Sequence, residues 1–355
     1  MNAYFALAVT ILLAVLLLTL PLAPAVAELQ RKSDAGPLSV VHEHAGEIRY
    51  FADGFRQYIE VLAPILARCT AEGSASPGAM RDGTRYLVLG SSDDALLLPL
   101  RKRGKCDVLI VAAGDLCLPA GISFARDIFA AGSVAGEASN QYRAIFAEGD
   151  VHLSTSSVVL RWTHANGAFN ADKNCRLYGR ISSNRRIQLA ADCAFSRLNA
   201  PRIDLGSCAA SRPNTFPQIV PKEEKHPTPE RQLHDGDLEL HEGRVFHGNL
   251  VVRGSLRIGR GARIYGSIKS EKDLQVEDGV AVFGSLISGR CLTIGRNCSI
   301  HGPVIAERKM LIRCGTWCGT PEKQTTVGAP RIVAEEGSVV FGTLWAREAG
   351  YVVAK

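Results

Sequence analysis

The chain is predicted to be all-β, a triangular β-helix in two blocks of 18-residue coils, with an N-terminal transmembrane helix and a small α/β cap. Three observations predict it. Gly248, Gly266, Gly284 and Gly302 stand 18 residues apart, a period that neither a strand nor a helix produces alone. Around them apolar residues keep a two-in-six beat, which three short strands per turn would generate. Ahead of both lies an apolar run, residues 3–20, interrupted only by two threonines and Tyr4.

That run is the first element. As a helix it would be about 27 Å long, close to the roughly 30 Å hydrocarbon core of a bilayer. Pro21 and Pro24 end it, so residues 1–24 are assigned to a membrane anchor. Ala25-Val26-Ala27 resembles a cleavage site, and cleavage there would make the body periplasmic or secreted. The missing basic n-region and the length of the run favour the anchor. Arg31 and Lys32 follow the run directly, and the positive-inside rule then expects a single-pass inner-membrane protein with a cytoplasmic body.

Residues 25–140 read as a juxtamembrane linker, an amphipathic helix and an irregular β cap. Within 53–68, Phe55, Tyr58, Ile59, Leu62, Ile65 and Leu66 fall on one helical stripe. Tyr86–Leu89, Ala95–Leu98 and Val108–Val111 read as short strands between Gly, Ser and Pro. A helix laid over the first rung would protect a β-edge from uncontrolled pairing.

Residues 141–206 form the first block. Ile145, Val151, Ser157, Thr163, Phe169, Cys175, Ile181, Ile187 and Cys193 are spaced by six, and each is followed two places on by another uncharged residue. The beat slips near Leu198, Ala200, Ile203 and Leu205. Residues 207–235, with Pro213, Pro217, Pro221, Pro227 and Pro229, read as a linker.

Residues 236–355 form the second block. From Leu250 and from Phe246, steps of six pass through 24 positions without a charge, although 21% of the chain is charged. Each hexad turns residues i and i+2 to the same side. The glycines, with Gly342, mark one corner, where positive φ is expected. Gly342 lies 40 residues past Gly302, two periods plus four, so a bulge is expected between Cys318 and Ile332. His247, Tyr265, Phe283 and His301 precede the glycines and predict an outward packing ladder.

Catalytic and cofactor chemistry finds little support. Ten cysteines in 355 residues are too few for a disulfide scaffold. Cys314 and Cys318 lack the second pair that structural zinc needs, and Cys298 reads as a small buried apolar residue. His42-Glu43-His44 lacks a further ligand, so no catalytic, cofactor or metal residue is assigned. A net charge of +6 is modest. Arg101-Lys102-Arg103 reads as solvated surface, and no basic stripe with interleaved aromatics points to nucleic acid.

The stretch Gly254–Ser267, which opens Gly254-Ser255-Leu256-Arg257-Ile258-Gly259, with Gly279–Ser285 and Ile294–Gly302, resembles the bactofilin family of polymer-forming cytoskeletal proteins. The resemblance covers residues 236–346 as a repeat pattern, and Arg143–Ala147 and Gly179–Ser182 look similar to multi-block, membrane-anchored members. It implies a right-handed β-helix that stacks end to end into nucleotide-independent filaments on a membrane, holding envelope or wall-modifying proteins. The beat itself fits either hand. The long portion 35–205 departs from the simplest members, and it is a candidate cap for one end.

Three functions compete. The first is a self-associating membrane scaffold whose last coil, Val340, Phe341, Leu344, Trp345 and Ala346, offers free edges to another subunit. The alternative is a left-handed hexapeptide-repeat acyltransferase. Its coils keep small the positions where Leu250, Leu256, Ile268 and Leu274 are large, and no interface histidine or pantetheine cleft is visible. A carbohydrate enzyme ranks last, because no carboxylate ladder runs along the outward positions.

Overall fold

The computed structural model describes residues 50–90, 104–206 and 231–354, together with Phe5, Val9, Leu12, Leu13, Leu16 and Leu17, which are helical. The remainder of the expected anchor, Ala95–Leu98, Arg101–Arg103, His42–His44 and the linker prolines lie outside the described residues. Among the described residues, no helix is long and apolar enough to cross a membrane.

Each turn of the second block contributes three short strands. Leu256–Ile258, Arg263–Tyr265 and Ile268–Ser270 form one turn, and Leu274–Val276, Ala281–Val282 and Leu286–Ser288 form the next. Every strand pairs in parallel with the strand one coil on, so Leu256 faces Leu274 and Ile268 faces Leu286. Leu256 and Ile258 are both buried while Arg257 between them is exposed, as the two-in-six beat predicts. Ser270 and Ser288 are also buried, and their hydroxyls donate to Gly254 O and Lys272 O, each at 2.8 Å. Pairing these hydroxyls removes most of the cost of burying them.

The solenoid is longer than the beat suggested, with about 12 turns in all. Parallel pairs such as Lys105↔Ser123, Ile110↔Ile128 and Leu116↔Val134 show that residues 105–140, expected to be an irregular cap, already coil with an 18-residue period. Between Ile128↔Ile145 and Ile145↔Thr163 the spacing changes from 17 to 18, so one residue is missing from that coil. The second block also begins earlier than expected, at strand Arg231–His234.

The cap takes a different place from the one expected. The predicted single helix is two helices, α1 (Tyr50–Ile59) and α2 (Ala63–Glu72), joined by a tight turn at Glu60–Leu62. Pro64 stands in the first turn of α2, where its missing N–H costs nothing. Phe55, Ile59 and Leu62 do not cover the open rung. They pack with Val111, Phe129 and Phe146, outward-facing residues on the flank of the first block. A hairpin, Ala75–Ala79 with Arg85–Leu89, extends one face of the first coil through parallel pairing of Tyr86–Leu89 with Leu109–Ala112.

The two blocks join tail to tail. Strand Ala194–Leu205 at the end of the first block runs antiparallel to Ser338–Val353 at the end of the second. The register places Ala194 by Tyr351, Leu198 by Leu344 and Ile203 by Val340, one set on each of the three sides. The pairing direction has a geometric cause. Coils of one hand that meet with opposed axes circulate in opposite senses, so their strands must cross the joint antiparallel. One core cluster of buried residues runs through it, from Leu89 to Val352.

Candidate assembly interface

The corner glycines have two different jobs. Gly248 and Gly342 hold φ of +118° and +113°, as expected. Gly284 and Gly302 do not have positive φ, which corrects the expectation for that corner. What they share is crowding. A Cβ on Gly302 would meet the backbone of Gly284 at 2.6 Å, and Gly284 meets Gly266 in the same way. Side chains are excluded there because successive coils approach closely.

The left-handed conformation recurs at a second corner that sequence reasoning missed. Gly243, Gly261, Gly279, Asn297 and Gly315 all have φ between +54° and +78°, at 18-residue spacing. The first block repeats the device with Gly121, Ser139, Ser156, Asn174 and Asp192, at φ from +60° to +75°. A column of Gly, Asn, Asp and Ser was the available signal, since short polar residues tolerate this region.

Beside the glycines, His247, Tyr265, Phe283 and His301 stack with centroid separations of 4.8, 4.7 and 4.8 Å. That is the expected packing ladder, at strand spacing. Burial, then the charge of Lys323, holds the His301 imidazole below its ordinary pKa. The expected bulge lies at residues 319–324, a loop between strands Trp317–Cys318 and Thr325–Glu335.

Cys298 and Cys318 lie inside, whereas Cys117 and Cys291 are exposed. Cys318 is fully buried and its thiol is pushed up to about 12 by burial, while Cys298 in the preceding coil is pushed to about 11, mainly by burial. Neither is a ready nucleophile. Among the described residues, no group of three or more His, Cys, Asp or Glu is arranged to hold a metal ion.

The residues expected to form a free assembly edge do not form one. Val340, Phe341, Leu344 and Ala346 are buried, with Trp345 42% exposed. Their strand is paired in parallel with Trp317–Cys318 and Thr325–Glu335 on one side, and antiparallel with Ala194–Leu205 on the other. Asn199 Nδ2 donates to Thr343 Oγ1 at 2.8 Å across the joint. Main-chain bonds from Asp192 N to Val352 O and from Gly337 N to Leu205 O, at 2.8 and 2.7 Å, close it further. The last coil of the second block is therefore occupied within the chain.

The opposite end of that block is different. Strands Arg231–His234, Leu238–Leu240 and Val245–His247 each pair with the following coil, and among the described residues no strand covers their other side. Stepping back 18 from the inward positions of the next coil gives Gln232, His234, Leu238, Leu240, Arg244 and Phe246. Leu240 and Phe246 are buried and Leu238 is partly buried, while Gln232 and Arg244 are exposed. The end is half apolar and half polar, and its strands leave an edge on each of the three sides that no described strand pairs. No protein-family model, curated protein or solved structure matches the chain.

Proposed function

We propose that this chain is a membrane-anchored scaffold that associates with itself through the first coil of its second block. The observation that carries the reading is that, among the described residues, the strand edges at residues 231–247 have no partner on their outer side, on all three sides of one coil. Unpaired N–H and C=O groups at a sheet edge template another strand, and proteins usually blunt or cover such edges. The tail-to-tail joint shows how two ends of this solenoid fit: antiparallel strands on three sides over one core. A second copy meeting the open coil head to head would repeat that arrangement around a two-fold axis. Gln232, His234 and Arg244 make the contact partly polar, which suits a concentration-dependent association more than an obligate one. The apolar run at residues 3–20 supports tethering to a membrane. The bactofilin-like repeat pattern of residues 236–346 supports a scaffold role near envelope proteins.

The test uses the chain lacking residues 1–30, with and without Leu238→Lys. Leu238 is only partly buried in the outermost rung, so the coils beneath it should tolerate the charge. Sedimentation velocity and electron microscopy should show dimers that the substitution disperses. Assemblies of unchanged size and amount in the variant would refute an interface at this end.

A further inference from the structure

A second feature lies beside the tail-to-tail joint, on the outer face. The register there runs Trp162↔Arg180↔Arg197↔Trp345, so neighbouring strands bring two arginines side by side between two tryptophans. Three of these residues come from the first block and Trp345 comes from the second, and the groove they line exists only because the blocks join. It has a volume of about 520 Å³ and includes Tyr178 and Phe51.

The arginines are held against aromatic rings. The Arg180 guanidinium stands 5.0 Å from the Phe51 ring centroid, and that of Arg197 stands 5.2 Å from the ring of Trp345. Elsewhere in the same block several arginines have carboxylate partners. Arg186 and Arg202 both pair with Asp204, at 2.6 and 2.8 Å, and Arg143 pairs with Asp127. Among the described residues, neither Arg180 nor Arg197 has such a partner. Arg197 Nε is buried without a hydrogen-bond acceptor. Burial, then the adjacent Arg180 charge, presses the Arg197 guanidinium below its ordinary value. Two like charges one strand apart, with a buried donor lacking an acceptor, describe a site suited to an anion.

We infer that Arg180 and Arg197 bind a phosphomonoester whose ring or acyl substituent rests on Tyr178 and Trp345. A phosphomonoester carries close to two negative charges at neutral pH and offers three acceptor oxygens, which matches two guanidiniums. A carboxylate would neutralise only one of them. The exposed faces of Tyr178 (53%) and Trp345 (42%), with Leu160 (44%), form the apolar shelf beside the anion position. The phosphomonoester has two sources, a soluble aryl or alkyl phosphate and the headgroup of a lipid such as phosphatidic acid.

The experiment titrates the full chain in detergent with phenyl phosphate, and follows tryptophan fluorescence and titration heat. Two of the three tryptophans, Trp162 and Trp345, line the groove. Saturable binding is expected, weakened at least tenfold in Arg180→Gln and in Arg197→Gln. Arg253→Gln, at a surface ion pair in the second block, should bind as the wild type does. Trp345→Phe should keep the binding heat and lose most of the fluorescence change. Folding is checked by melting, which Arg180→Gln should leave unchanged or raise, because it removes a like-charge neighbour.

Co-sedimentation with phosphatidylcholine vesicles containing phosphatidic acid, against vesicles containing phosphatidylglycerol, separates the two sources. Preference for phosphatidic acid that Arg180→Gln abolishes identifies the lipid. Phenyl phosphate binding without it identifies a soluble ligand. Absence of phenyl phosphate binding at millimolar concentration overturns the proposal, as does equal binding of benzoate. Binding that survives in both arginine variants, or an oligonucleotide that competes as well as phenyl phosphate, overturns it too.

Discussion

A Cβ added at Gly302 would lie 2.6 Å from the backbone of Gly284, and no rotamer relieves a clash between two main chains. Gly302→Ala should therefore destabilise the protein by about 1–3 kcal/mol, the usual range for overpacking. Gly261 offers the contrast. Its φ is +65°, nothing crowds its Cβ position, and Asn297 occupies the same column two coils later at φ +54°. Gly261→Asn should cost well under 1 kcal/mol, since Asn tolerates the left-handed region. Denaturant melts of the two variants decide between crowding and backbone conformation as the reason for each column. Equal midpoints would refute the assignment. The neighbouring ladder carries a pH dependence. The folded pKa of His301 lies below the ordinary imidazole value, so the unfolded chain takes up the proton first. The ladder's contribution is complete above the ordinary imidazole range and is lost as pH falls through the depressed value. His301→Phe, which copies Phe283 in the same column, should remove that slope from the melting temperature between pH 7 and 5. A slope that persists unchanged would place the acid sensitivity elsewhere.

The joint between Ala194–Leu205 and Ser338–Val353 is the element on which the architecture turns. Leu198 and Leu344 face each other across it and both are fully buried. Leu344→Ala should cost about 2–5 kcal/mol, as large-to-small changes in a packed core do. Leu198→Ala should cost a similar amount, and the double variant should cost less than the sum, because each truncation removes the other's partner. Strict additivity in urea unfolding would mean that the pair does not touch. The sequence carried no trace of this joint. Asn199 and Thr343 are 144 residues apart, and antiparallel pairing at that distance leaves no period to count. The coils were legible for the opposite reason. An inward position in a 12-turn core tolerates no charge, so its absence recurs every six residues. Coils 105–140 escaped because Gly136 and Asn140 fill inward places and one residue is missing before Ile145. Asn140 is admitted by its bonds: it accepts from Ile122 N at 2.8 Å and donates to Tyr142 Oη at 2.9 Å.

At the scale of the whole molecule, joining the tails changes what end-to-end stacking can build. A simple solenoid has a head and a tail, and a copy that stacks on each can continue indefinitely. Here both tails are consumed internally, and what remains outward is two heads of different construction. The head of the first block carries the Ala75–Leu89 hairpin on one face, whereas the head of the second has no described strand beyond it. If the second head alone self-associates, the assembly closes at two copies. Separating the blocks should reverse this. A fragment of residues 231–355 would expose the edge of Ser338–Val353 that Ala194–Leu205 normally covers, including Val340 and Leu344. With both ends open, that fragment should form long assemblies at concentrations where the full chain stops at dimers. Adding the separate first block, residues 50–206, should shorten them by occupying the exposed tail. Circular dichroism confirms that the fragment keeps its β-structure, and sedimentation with electron microscopy measures length. A folded fragment that stays monomeric would show that an open rung of this solenoid is not enough to drive stacking, and the head-to-head dimer would lose its physical basis.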